Sequence, residues 1–179
     1  GLHRWLSRHP LMNLFSKRQL MNASFDRFML VNAYGAFGTV TKERVEIIVE
    51  GTLDDPRDPD ADWREYGFKG KPGDPRRVPR QYAPYHLRLD WLMWFLPLGR
   101  LHEVWFLRFL EKLLEADAAT LRLLAHDPFD GERPRAVRAR TELFTFATRE
   151  EHRRTGHVWM RHPLGTAIPP IALGEVDTR

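Results

Sequence analysis

Arg44-Val45-Glu46-Ile47-Ile48-Val49-Glu50 is the stretch whose reading decides the fold. Val45, Ile47 and Val49 fall on one face of an extended chain, with Arg44, Glu46 and Glu50 on the other, and period two is the signature of a half-buried strand. Gly51-Thr52 ends it. Downstream, residues 54–62 carry two prolines and five aspartates and read as a solvated loop. A second strand is predicted over Trp63 to Lys69, closed by the turn Gly70-Lys71-Pro72-Gly73-Asp74-Pro75. Upstream, Phe28 to Tyr34 is rich in strand formers, and Gly35 and Gly38 bracket a bend.

The middle third changes character. Leu87 to Leu98 is apolar nearly all round, as expected of a short helix buried on most sides. Leu101 to Ala125 reads as one longer helix. Leu107, Leu110, Leu114, Ala118 and Leu121 recur at three- and four-residue steps, with Arg108, Glu111, Lys112, Glu115 and Arg122 opposite, and Asp127-Pro128 stops it. Ala136 to Thr148 alternates like a long strand. Thr148 is placed to cap a short helix over Arg149 to Arg154, with Glu151 completing a capping box and Gly156 ending it. The tail from Val158 to Pro170 is extended and limited by prolines. Strands, then helices, then strands predict an α+β fold, a mostly antiparallel sheet with two or three packed helices. The alternative is a β-sandwich with a helical insertion. Residues 1–25, basic and interrupted by Pro10, Asn13 and Asn22, read as a connecting arm, and residues 26–179 as a single globular domain.

Composition narrows the function. The 179 residues are 42% hydrophobic, 12% aromatic and 29% charged, a globular balance. The longest apolar run, Trp91 to Leu98, is too short to span a bilayer, and the opening residues show no signal-peptide core. There is no cysteine, which removes disulfides, thiolate metal sites and cysteine nucleophiles. The net charge is +4, but 28 basic residues are interspersed with 24 acidic ones, without the sign separation of a nucleic-acid surface. Only five of the basic residues are lysines, an arginine bias that suggests a GC-rich bacterial genome.

Catalytic and metal constellations are incomplete. Ser7, Ser16 and Ser24 are the only serines, all in the arm, and no Gly-x-Ser-x-Gly elbow exists. His152, His157 and His162 are five apart, a spacing that shares neither a helix face nor a strand face. No catalytic residue, metal ligand or cofactor is therefore assigned. Glu46, Glu65, Asp90 and Glu142 are the carboxylates that a fold could gather into a pair, and Asp90, between Leu89 and Trp91, must be paired or hydrogen-bonded if buried. The central third concentrates aromatic residues. Core packing accounts for most of them, and an exposed remainder marks partner binding, for which Tyr85, Trp91, Trp94 and Phe95 are the candidates.

Several motifs resemble one family. Asn32-Ala33-Tyr34-Gly35-Ala36-Phe37-Gly38, Glu50-Gly51-Thr52, and Trp63 through Lys71-Pro72-Gly73 are similar to the lipase maturation factor family. So are Ala83-Pro84-Tyr85, Arg88-Leu89-Asp90-Trp91-Leu92-Met93-Trp94-Phe95, Asp127-Pro128-Phe129, Val137-Arg138-Ala139-Arg140 and Trp159. The resemblance covers residues 20–179 in order. It implies a soluble C-terminal domain of a multipass membrane protein. In animals such proteins sit in the endoplasmic reticulum membrane and assist newly made lipases of the lipoprotein lipase type, without an established catalytic residue to carry over. Residues 2–22 would tether the domain to the last span, and the domain would face the lumen or its bacterial equivalent. The expected partners are a protein client, such as a lipase, and the parent's own membrane region; the oligomeric state is left open. The competing readings are a carboxylate enzyme acting on lipid or glycan, and a structural domain supporting the membrane part.

Overall fold

The computed structural model describes residues 43–80, 87–99 and 103–175, together with 12, 15, 23–24, 28, 32–33, 82 and 85. The chain divides into two compact units, Gly1–Lys42 and Glu43–Arg179. The first contains a short antiparallel pair, β1 (Ala23–Ser24) with β2 (Asn32–Ala33). The predicted bend at Gly35 and Gly38 lies outside the described residues, as do Tyr34 and Phe37.

The second unit is built on β3 (Glu43–Thr52), which pairs antiparallel along its whole length with β5 (Ala136–Phe146), from Glu43 opposite Thr145 to Thr52 opposite Ala136. β6 (Trp159–Ile171) lies on the far side of β5, and β4 (Arg64–Glu65) lies on the free side of β3, giving the order β4-β3-β5-β6. β6 forms an edge carrying Pro163, Pro169 and Pro170, and its register against β5 shifts at several points. The predicted second strand is thus shortened to two residues. From Gly67 the chain leaves β3 and pairs with His126 instead, its N–H donating to the His126 carbonyl at 2.9 Å.

Among the described residues four helices accompany this antiparallel sheet, an α+β arrangement as expected: α1 (Arg88–Phe95), continued by a 3-10 turn Leu96–Leu98, α2 (Val104–Leu114), α3 (Ala118–Leu121) and α4 (Arg149–Thr155). The single helix predicted over Leu101 to Ala125 is broken. Ala116 adopts φ 51°, outside the right-handed helical region, and the Asp117 carboxylate caps a new helix by accepting from Thr120 N–H at 2.8 Å. The break re-aims the chain, so that Ala118 is exposed and Leu121 half-buried; within α2, Leu107 is also half-buried. The stripe α2 buries is Phe106, Phe109, Leu110, Leu113 and Leu114, helical spacing over two turns. It packs on Ile47 and Val49 of β3, Val137 and Ala139 of β5, and Met93 and Leu96, forming the main core. At α4 the capping box forms as predicted, with Glu151 N–H on the Thr148 hydroxyl and Gly156 in the left-handed conformation after it.

The opposite face of the sheet corrects the reading of β3. Its polar side is not solvated: Glu46, Glu50 and Glu142 are all 4% exposed or less, whereas Val45 is 38% exposed. Register places Glu46 directly across from Glu142, an arrangement that is repulsive unless neutralised. Cations supply the neutralisation. Glu46 pairs with Arg44 and with the buried Lys71, whose Nζ lies 3.1 Å away. Glu50 takes a two-pronged bond from Arg140 at 2.6 and 2.9 Å and another from Arg138 at 2.7 Å. Glu142 is held by Arg161 at 2.6 Å and Arg140 at 3.2 Å, and Arg161 also forks onto Glu65. Ile48, Phe144 and Trp159 fill an apolar space on the same face.

A strap, residues 71–77, lies over these charges. Lys71 donates to the Ile47 carbonyl, the Gly73 carbonyl accepts from Arg161, the Pro75 carbonyl accepts from Val158 and Trp159 N–H, and the Arg77 carbonyl accepts from the Trp159 indole. Both sides of β3 are therefore covered. At its end Gly51 lets the strand approach two rings, because a Cβ there would meet Phe129 Cε2 at 2.7 Å.

Two stability measurements check this account by chemical denaturation. Lys71→Met leaves the inaccessible Glu46 with Arg44 alone, and is expected to cost about 3 kcal/mol. Gly51→Ala forces the Phe129 ring to move and is expected to cost roughly 1–3 kcal/mol.

Candidate functional site

α1 forms because residues 88–96 contain neither glycine nor proline and Leu87 precedes them in an extended conformation. Met93 and Leu96 face the core, while Trp91, Trp94 and Phe95 are half-buried. Trp91 lies nearly parallel to Trp94 at 6.3 Å and edge-on to Phe95 at 4.8 Å. The Arg44 guanidinium sits 3.8 Å over the Trp94 ring, joining α1 to the charged end of β3.

Beside this aromatic group lies a cleft of about 170 Å³. Trp91, Trp94, Tyr82 and Leu87 give it apolar walls, and the exposed Arg80 stands at its lip. Gly70 and Asp90 also line it. Asp90 is buried and accepts from Gly70 N–H at 2.6 Å, as a buried carboxylate at that position requires. The bond ties α1 to the residue preceding Lys71, so the cleft is continuous with the strap. Chemically the arrangement offers flat aromatic surface and one acidic group at depth.

Of the four candidate partner-binding residues, the structure brings Trp91, Trp94 and Phe95 together, and leaves Tyr85 86% exposed. Arg88 is exposed on the first turn of α1. The motif residues Glu50, Lys71 and Gly73 belong to the charged face and its strap, Pro72 is buried with its carbonyl accepting from Lys71, Gly51 meets Phe129, and Asn32 lies in β2. Of the carboxylates named from sequence, Glu46, Glu65 and Glu142 do converge, each engaged by arginine or lysine, while Asp90 stands on α1. Hydrogen bonds to Glu50 hold Arg140 above the usual arginine pKa. Burial works against the charge of Arg161, but its bonds to Glu65 and Glu142 outweigh that and raise its pKa as well. These cations stay charged at any ordinary pH. Gly70 and Arg80 carry no signal of the site in the sequence beyond the run of glycines around Lys71, and Tyr82 is signalled only as one of the aromatic residues of the central third.

Among the described residues no group of three or more histidine, aspartate or glutamate side chains is placed to hold a metal ion, and no helix is long and apolar enough to cross a membrane.

Comparison with known proteins supplies the wider setting. The lipase maturation factor C-terminal domain matches residues 30–169. Lipase maturation factor 1 of Homo sapiens is 46% identical over 176 residues, 96% of this chain and 31% of the relative, and that of Bos taurus is 45% identical over 172 residues. Lipase maturation factor 2 of Homo sapiens is 32% identical over 157 residues, 84% of this chain and 21% of the relative. No solved structure matches. The chain thus spans about a third or less of the length of these relatives. They are vertebrate proteins and lend no support to the bacterial source suggested by the arginine bias. Matched by the family's C-terminal domain over most of its length, and by a relative nearly half identical along almost all of it, the chain belongs to the lipase maturation factor family.

Proposed function

We propose that this chain is a client-binding domain of a membrane-anchored maturation factor, acting without catalysis on a lipase that folds outside the cytosol. The observation that carries the reading is α1, which places Trp91 and Trp94 on a cleft rather than in the core, with Phe95 packed edge-on against Trp91. Large aromatic side chains in a well-packed depression are the usual anchors of protein recognition. The names of the relatives supply the client class. In this reading residues 1–25 connect the domain, residues 26–179, to the parent's membrane region. The convergent carboxylates fit a non-catalytic role, because each is already paired with arginine or lysine within the fold. The same pairing weighs against a glycan- or lipid-cleaving enzyme.

The test is made in cells expressing the full-length parent and a secreted lipase, by measuring lipase activity per mass of secreted enzyme. Trp91→Ala with Trp94→Ala is expected to lower that specific activity about fivefold or more at unchanged parent abundance. Tyr85→Ala, at an exposed position that cannot disturb the core, is expected to lower it more modestly. Normal specific activity in all of these variants would overturn the reading. Loss of the parent protein itself on deletion of the domain, with no effect of Tyr85→Ala, would favour a structural support role.

A further inference from the structure

Four carboxylates are buried among the described residues of the larger unit, and three of them are treated alike. Glu46 has Arg44 and Lys71, Glu50 has Arg138 and Arg140, and Glu142 has Arg140 and Arg161. Asp90 is the exception. It is 4% exposed, its Oδ1 accepts from Gly70 N–H, and no cation among the described residues pairs with it. A single neutral donor leaves acceptor capacity of the carboxylate unused. It lines a cleft walled by Trp91, Trp94 and Tyr82, and aromatic faces around a carboxylate are the surroundings that a cation prefers. Trp94 already holds one in this way, the Arg44 guanidinium.

From this we infer that the cleft receives a basic side chain of the client, a lysine or arginine, with its charged head on Asp90 and its hydrocarbon stem against Trp91, Trp94 and Tyr82. The inference rests on the reading of α1 as the client-facing helix, and gives that surface its chemical preference. A long basic side chain suits the site because its stem buries apolar surface while its head meets the acid. Arg80 is an exposed cation lining the same cleft, so its removal is expected to strengthen capture of an external cation.

The experiment uses the 179-residue chain at constant ionic strength. Indole N–H signals of Trp91 and Trp94, assigned through Trp91→Phe and Trp94→Phe, are followed by NMR during titration. The probes are N-acetyl-lysine methylamide, its uncharged analogue N-acetyl-norleucine methylamide, and tetramethylammonium chloride. The lysine amide is expected to bind at least about tenfold more tightly than the norleucine amide. Asp90→Asn, which retains an oxygen to accept from Gly70, is expected to abolish that preference, and Arg80→Ala to increase it. Equal binding of the lysine and norleucine amides, or a preference that survives Asp90→Asn, would overturn the inference. Tighter binding of tetramethylammonium than of the lysine amide would overturn it in favour of a quaternary ammonium ligand. Should Asp90→Asn abolish cation binding but leave lipase maturation by the full-length parent intact, the cation site stands and the client-facing role of α1 fails. If the tryptophan variants impair maturation while the chain shows no cation preference, the reverse holds.

Discussion

Glu46 has no contact with water, sits at the centre of the sheet, and faces another glutamate across the ladder. Everything on that side of the molecule follows from the need to hold this charge. A strand with apolar side chains on one face and carboxylates on the other can be central only if the carboxylates are neutralised where they lie. Five cations do so here, and four of them are arginines: Arg44, Arg138, Arg140 and Arg161. The preference has a geometric cause. A guanidinium can grip two carboxylates at once, as Arg140 grips Glu50 and Glu142 and Arg161 grips Glu65 and Glu142, and its flat face can also lie on a ring. Arg44 on Trp94 and Arg138 on Trp63 use that second property.

The single lysine of this set does different work. Lys71 approaches Glu46 from the strap and also bonds to the Ile47 carbonyl, so it fastens the strap to β3 at one point. Gly70, its neighbour in sequence, is bonded to Asp90 of α1. Two adjacent residues thus connect the buried charges of the sheet with the depth of the cleft, and Arg44 makes a second connection through Trp94. The position of α1 is therefore set by polar contacts as well as by Met93 and Leu96 in the core.

Where local rules govern, the sequence was readable. Period two marked β3 and β5, Thr148, Glu151 and Gly156 marked α4, and the apolar run marked α1. Where distant segments decide, it was not. Alternating glutamates in β3 look like a solvent face, and nothing nearby in the chain announces that a strap some 25 residues on will cover them. The register of Trp63 to Lys69 was lost to a competing bridge with His126, and the break before α3 turned on the conformation of Ala116. The site shows the same division. Trp91, Trp94 and Asp90 stood out by composition, being on one short helix, whereas Gly70, Arg80 and Tyr82 reach the cleft only through the fold.

The edges of the sheet bear on how such a domain can take hold of anything. β4 contributes only two residues, and β6 carries three prolines and a shifting register. A guest strand added to β6 would find amides missing from its template. Recognition by main-chain zippering, which accepts almost any extended peptide, is thereby disfavoured. Contacts made along this edge therefore fall to side chains, which carry sequence information that a bare backbone ladder does not.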